Sequence, residues 1–386
     1  MNSRERLLMA IDHNEPDRIP YDLGSTQLTG ISITAYKELR NYLGLPEEEI
    51  IPSDIIQQLA HPGEDILEEL QVDTRGLFPK TSHNHFRPSQ VVEEDDHWYY
   101  RDEWGLGYRY PKVAGYWYTL TESPLENLDP TPRTIDGYNW PIAADASRIE
   151  NLKKRAVRYH EQGKGVVLKG LCAGVFEMCQ RLRGMENALV DFLLYPEMNE
   201  RLIGKIADLK IEFWEMALSH LADDVEVIIE ADDYGTQESQ LISPEQFRMY
   251  YKPHINRIIQ TIKKQAPKAK VFFHSCGNVR PVIPDFIEMG IDILNPVHIN
   301  AEGMDPFGLK KDFGEDITFW GGGIDTQDIL PHGTPKEVAD NVKRNIDALA
   351  PGGGFVFNTV HNILSEVPPE NIMAMWKTLK EYGIYK

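Results

Sequence analysis

Positive charge is in short supply. Lys and Arg number 40 against 60 Asp and Glu, a formal charge of −20. Nucleic-acid phosphates would be repelled by such a chain unless it carried a basic patch, and its cationic residues form no block. A nucleic-acid partner is therefore not expected. Cysteine is equally scarce. Three cysteines, an odd number, argue against a disulfide framework and fit a reducing compartment. No run of about eighteen apolar residues occurs, so no membrane-spanning helix is expected. The opening Met1-Asn2-Ser3-Arg4-Glu5-Arg6 lacks the apolar core of a signal peptide. A cytoplasmic location follows as the expectation. The Gly-x-Gly-x-x-Gly fingerprint is missing, which weakens a dinucleotide-binding fold. There is no repeat at solenoid periods and no low-complexity tract.

What is present is the composition of a globular chain, 41% hydrophobic and 26% charged. One stretch organises the reading: Lys270-Val271-Phe272-Phe273-His274-Ser275-Cys276-Gly277-Asn278. Its apolar run reads as a buried strand. Positions i and i+2 of an extended chain point the same way, so His274 and Cys276 share a side. Imidazole nitrogen and thiolate sulfur are zinc ligands, and Gly277 lets the chain turn. An isolated His-x-Cys is more often a core-edge histidine beside an inert cysteine, so the rest of the chain must carry the case.

Strands are expected at 19–22, 72–77, 165–170, 226–230, 270–274, 291–295, 317–321 and 354–358, most of them separated by helical stretches. Helices are expected in pieces over 52–70, broken at Pro62-Gly63, and from Ser243 to Gln265 and Pro369 to Tyr382. Alternating strand and helix implies a parallel sheet. Eight units predict an α/β chain folded as a (β/α)8 TIM barrel, with an open doubly wound sheet as the alternative. The whole of 1–386 is read as one domain. Between 80 and 141 the texture changes to charges, prolines and aromatics, including His97-Trp98-Tyr99-Tyr100 and Tyr116-Trp117-Tyr118. This aromatic-rich insertion after the second strand reads either as a lid over the barrel or as a surface hairpin packed on its own rings.

In barrels the reacting groups lie at the carboxyl ends of strands. Here those ends carry Asp22, Lys169, Glu230 with Asp232 and Asp233, His274 with Cys276, Asn295 with His298, Asp325, and Asn358 with His361. The clustering raises the metal reading. His361 is the third candidate ligand beside His274 and Cys276. Glu230 or an acid of the following turn could be a fourth, or the fourth position could stay open for water or substrate. Asp22, Glu230, Asp232 and Asp233 are candidate acids and bases; Asp232 and Asp233 could equally just cap the turn. Lys169, Tyr234, Asn295, Asp325 and Asn358 are candidate substrate contacts. Cys172 ranks below Cys276 as a ligand, Cys179 falls in a helical pattern and reads as core, and His298 and His332 read as loop histidines.

Taken together, Ser3-Arg4-Glu5-Arg6, Pro16-Asp17-Arg18-Ile19-Pro20, His274-Ser275-Cys276-Gly277-Asn278, Asp292-Ile293-Leu294-Asn295, Trp320-Gly321-Gly322-Gly323-Ile324-Asp325, Gly333-Thr334-Pro335 and Gly352-Gly353-Gly354-Phe355 resemble the uroporphyrinogen decarboxylase superfamily. The likeness covers nearly the whole chain except the aromatic segment. It implies a (β/α)8 barrel and one of two activities. One is cofactor-free decarboxylation; the other is zinc-dependent methyl transfer with corrinoid proteins. The decarboxylases carry an arginine-rich segment after the first strand, whereas this chain reads Tyr21-Asp22-Leu23-Gly24-Ser25-Thr26-Gln27. The methyltransferases carry His-x-Cys and a later Cys as zinc ligands; His274 and Cys276 match the first two, and His361 stands near the third. The resemblance thus implies a methyltransferase using zinc and a corrinoid (cobalamin) co-substrate, acting on a thiol acceptor or a methoxy- or methylamine-type donor. A metal-free decarboxylase-like lyase and a non-catalytic corrinoid- or tetrapyrrole-binding protein remain as alternatives. Expected partners are a small-molecule substrate and a corrinoid protein, with no membrane and with homodimer formation left open.

Overall fold

A computed structural model describes residues 1–82, 91–113 and 115–386. Positions 83–90 and 114 of the 80–141 segment lie outside the described residues. Seven parallel strands follow one another in space as in sequence: β1 (Thr74–Leu77), β2 (Gly165–Leu168), β3 (Val227–Ala231), β4 (Lys270–His274), β5 (Ile293–Asn295), β6 (Thr318–Trp320) and β7 (Phe355–Val356). Every pairing is parallel, with Phe272 opposite both Ile229 and Ile293. The result is a curled, TIM-barrel-like sheet wrapped by helices.

The 19–22 segment is not a strand but a bridge. Pro20 has no N–H to donate. Its carbonyl accepts from Phe357 N at 2.9 Å, Asp22 N donates to Phe357 O at 3.0 Å, and Asp73 N donates to Tyr21 O at 2.8 Å. The segment therefore touches both edges of the sheet. Tyr21 N is held by the Asp73 side chain at 2.8 Å instead of by a ladder carbonyl. Asp73, fully buried, also receives Arg6 at 2.7 Å and both Arg18 amino groups at 2.8 and 3.0 Å.

Strand periodicity sorts the side chains. Val167, Val227, Ile229, Phe272, Ile293, Trp320 and Val356 form one interior cluster with Leu7 and Ile11. Their neighbours Leu168, Ile228, Phe273, Leu294 and Phe319 pack outward into the helix-side core. Leu7 and Ile11 belong to α1 (Ser3–Ile11), started by an Asn2–Glu5 capping box. A Cβ on Gly165, the first residue of β2, would lie 2.4 Å from Leu7. Helix α1 thus plugs the amino-terminal end of the barrel and leaves the carboxyl end for chemistry.

Three departures from the sequence reading have local causes. Residues 52–60 form a small hairpin, Pro52–Asp54 with Leu59–Ala60, and only Glu64–Glu69 is helical. Asp54 accepts from Gln57 N at 3.0 Å, which closes the turn between the two short strands. The helix after Ser243 passes through a π-helical turn at Phe247–Tyr251 before Lys252–Gln265, where Pro253 cannot donate back to the preceding turn. Pro306–Phe313 is a helix the sequence reading omitted, capped by Asp305. Within the aromatic segment, Val92–Glu93, His97–Arg101, Gly107–Pro111 and Thr119–Glu122 make a four-stranded antiparallel sheet. It is tied to the barrel by the buried pair of Arg148 with Glu103, at 2.8 and 2.6 Å.

Truncating Asp73 to Ala would take the buried carboxylate away from two guanidinium groups and one strand-bridging amide. The expected loss is about 3–5 kcal/mol by urea unfolding. Asp17→Ala, which removes a partly exposed partner of Arg6, should cost no more than about 1 kcal/mol. Equal effects of the two would count against Asp73 as the anchor.

Candidate metal centre

His274 ends β4 on the face that carries Phe272, so its ring points into the barrel. Its register partner on β5 is Asn295. The Asn295 Nδ2 donates to Trp320 O at 2.7 Å, which leaves Asn295 Oδ1 as an acceptor, 2.5 Å from His274 Nδ1. The proton is thereby assigned to Nδ1, and the Nε2 lone pair is free. Cys276 Sγ lies 3.3 Å from that Nε2. The Cys276 loop is pinned from two sides: its N–H donates to Asp233 Oδ1 at 2.7 Å, and Ser275 N donates to Asn295 O at 2.7 Å. Gly277 has φ +81°, and a Cβ there would lie 2.4 Å from Thr236 O, so only glycine fits the turn.

His361, in the loop after β7, brings its ring centroid to 5.9 Å from that of His274. The ligand atoms of His274, Cys276 and His361 all lie within 4.8 Å of one another. His274 is buried, while Cys276 and His361 keep partial exposure toward the mouth. Burial, with His274 and His298 nearby, pushes His361 down to about 3, so it is a neutral donor at physiological pH. Burial and the charges of Asp233 and Glu177 push the Cys276 thiol well up. A cation between these donors would reverse that by favouring thiolate. The donor set of two imidazoles and one thiol, with a partner fixing the tautomer of one imidazole, fits zinc in chemistry and spacing.

Of the other sequence candidates, only Asp233 and Asn295 join this group. Asp233 Oδ1 is 3.6 Å from His274 Nε2; its carboxyl is pushed up by burial and Glu177 and drawn down by His274. Glu230 is not brought there. On β3 it alternates with Ile229 and points outward, pairing with Lys210 at 2.9 Å and Trp214 Nε1 at 2.5 Å on the helix Pro196–Leu221. Asp232 accepts from the Phe176 and Glu177 amides at 2.8 and 2.9 Å, so it caps α2 (Val175–Arg183). Tyr234 bonds Asp232 at 2.5 Å and stacks on Phe176, buried away from any mouth. Asp22 is fully buried and accepts from Thr74 at 2.5 Å and Trp320 Nε1 at 3.0 Å. Asn358 donates to Asp22 O at 2.9 Å, and Asp325 closes a turn on Gln327 N at 2.7 Å. Cys179 is buried in α2.

His298, read from the sequence as a loop histidine at a strand end, and Glu177, which the sequence did not mark, belong to the surroundings of the centre. His298 Nδ1 accepts from Gly277 N at 3.1 Å. It stands three residues beyond the end of β5. Glu177 is the third helical residue after Gly174, a capping position.

Beside the centre lies a cleft of about 320 Å³, between the antiparallel sheet, the 52–60 hairpin and α2. Tyr100, Trp104, Tyr108, Lys169, Glu177 and Arg181 line it. It reaches Ala231, the β3 partner of His274.

A barrel-like sheet with imidazole and thiol donors gathered at its carboxyl end defines a class of barrel enzymes. The chain belongs to the uroporphyrinogen decarboxylase (URO-D) family, whose model matches residues 126–382. Members of the family are enzymes, decarboxylases or methyltransferases. A methylcobamide:CoM methyltransferase of Methanosarcina acetivorans is 23% identical over 254 residues, 64% of this chain and 67% of that one. A methylated-thiol–coenzyme M methyltransferase of Methanosarcina mazei is 24% identical over 71% of this chain and 66% of its own. A uroporphyrinogen decarboxylase of Magnetococcus marinus is 22% identical over 51% of this chain and 52% of its own. The chain thus spans about half to two thirds of the length of these relatives. A solved methyltransferase from Methanosarcina mazei superposes with a TM-score of 0.63 over 99% of both chains at 16% identity, which shows the shared fold.

Burial pushes Asp232 up to about 7, with Glu177 adding to it and the bonds from Tyr234 and two amides opposing. The folded state therefore holds a proton that the unfolded state releases near 4, and stability from this residue falls as pH rises from about 4 to 7. In urea titrations the stability of the wild type relative to Asp232→Asn should be greatest near pH 4 and shrink toward pH 7. A difference independent of pH would contradict the assignment.

Proposed function

We propose that this protein is a zinc-dependent methyltransferase that moves a methyl group between a corrinoid, carried on a partner protein, and a small substrate. The observation that carries the reading is the convergence of His274, Cys276 and His361, with Asn295 fixing the His274 tautomer. The names of the Methanosarcina relatives support methyl transfer with a methylcobamide or a methylated thiol. The scaffold proposed is a closed (β/α)8 barrel, with the bridging 19–22 segment standing in for its first strand and the 80–141 segment as an insertion shaping access to the mouth. The proposed setting is the cytoplasm, where all three free cysteines stay reduced.

His274 Nε2, Cys276 Sγ and His361 would hold the zinc. Bound there, it supplies positive charge that keeps a substrate thiol ionised or polarises a methoxy or methylamine donor. Asn295 keeps the Nδ1 proton of His274 in place and so keeps Nε2 a donor. Asp233 holds the Cys276 amide and, half exposed beside it, is the base within reach of the proton the thiol releases. The cleft over Lys169 supplies the route for substrate.

The decarboxylase reading draws on relatives such as that of Magnetococcus marinus. Against it, no arginine stands between Tyr21 and Gln27 to neutralise a substrate bearing many carboxylates.

Metal analysis of the protein purified under reducing conditions should find about one zinc per chain, lost in His274→Ala and Cys276→Ser. Asn295→Ala should retain the fold and weaken zinc binding roughly 10–100-fold. Incubation with methylcobalamin and thiols under anaerobic conditions should convert the methylated corrinoid, and a chelator should abolish it. A protein that binds no zinc when it is offered would sink the reading and return decarboxylation to first place.

A further inference from the structure

The cleft beside the centre carries six charged side chains: Asp54, Asp102, Glu103, Lys169, Glu177 and Arg181. Five are already engaged by the chain. Asp54 accepts from Gln57 N at 3.0 Å. Asp102 accepts from the Trp104 and Leu106 amides at 2.9 and 3.0 Å. Glu103 is doubly bonded to Arg148, and Glu177 pairs with Arg181 at 3.1 Å. Lys169 alone has no hydrogen-bond or ion-pair partner for its ammonium among the described residues. It stands one residue beyond β2 and two beyond Val167, with its N–H still bonded to Leu77 O at 3.0 Å, which turns it to the barrel's inner side. Gln27 Oε1, on the same cleft, is a buried acceptor without a donor among the described residues. Tyr100, Trp104 and Tyr108 supply flat apolar walls, with the two tyrosine centroids 6.3 Å apart.

We propose that this cleft binds a small aromatic anion. Lys169 Nζ is the counter-ion for its acidic group, Gln27 Oε1 accepts from a separate hydroxyl or N–H donor elsewhere on the ligand, and Tyr100, Trp104 and Tyr108 pack against its ring. This deepens the reading of a barrel methyltransferase and rests on it for the meaning of the site: the cleft reaches Ala231, paired with His274, so a ring held here extends toward the metal centre. Carboxylates outnumber cations on the walls, yet that count does not select a cationic ligand. Two of the four acids are neutralised by arginines and two are satisfied by local N–H donors. An incoming cation would also meet Lys169.

The test is calorimetric titration of the full chain with benzoate, benzamide and benzyltrimethylammonium. Wild type, Lys169→Gln, Lys169→Arg and His274→Ala are compared after thermal melting confirms each fold. Benzoate should bind wild type, weaken at least about tenfold in Lys169→Gln, recover partly in Lys169→Arg, and weaken as salt rises. Benzamide should bind weakly and alike to all. Equal benzoate affinity in wild type and Lys169→Gln would overturn the proposal, as would binding of the ammonium compound with none of benzoate. His274→Ala should keep its benzoate affinity. A protein that binds benzoate through Lys169 yet takes up no zinc would therefore refute the methyltransferase reading and leave the anion site standing.

Discussion

The architecture depends on one buried carboxylate. Asp73 holds Arg6 from the plug helix, Arg18 and the Tyr21 amide from the bridging segment, and through its own backbone joins Tyr21 and Gly165. A lone buried carboxylate would cost several kcal/mol in desolvation, but here each oxygen receives two donors. The arrangement substitutes for the first strand's missing ladder: Pro20 cannot donate, so a side chain makes the bond that backbone would have made. Because the same carboxylate grips α1, the plug and the closure of the sheet are fixed together.

That closure sets the inward direction of the strands at their carboxyl ends, and strand parity decides which polar residues arrive at the mouth. His274 and Asn295 lie on the inner face and meet; Glu230, one position out of phase with Ile229, faces the helices and forms a buried pair with Lys210. Lys210 also donates to Ala173 O at 2.9 Å, so the pair fixes the loop after β2 that floors the cleft. Polar groups of the two faces therefore divide the work, the inner face gathering donors and the outer face holding the loops that carry them.

Much of this was legible in the residues. Apolar runs ending in His or Asn marked β4, β5 and β7, because a buried parallel strand must be apolar and its end must not be. The His274–Cys276 spacing and the later His361 were visible for the same reason. Other features were not. Whether Glu230 faced in or out depended on where β3 began, and a shift of one residue reverses the face. The capping role of Asp232 required knowing that α2 starts beside it in space, 56 residues away in sequence. The hairpin at 52–60 looked helical because its apolar spacing is ambiguous, and the Asp54 turn decided it. Asp305-Pro306 was a readable helix start that periodicity alone passed over.

Asp232 and Asp233 are neighbours that face opposite ways. The first holds the opening amides of α2, whose next residues, Glu177 and Arg181, form a wall of the cleft; the second holds the amide of Cys276. A single peptide unit thus links the two sites as a rocker links two arms. The cleft wall and the thiol's loop thus take their positions from consecutive residues of one turn, so the spacing between the two sites is set by a single stretch of backbone.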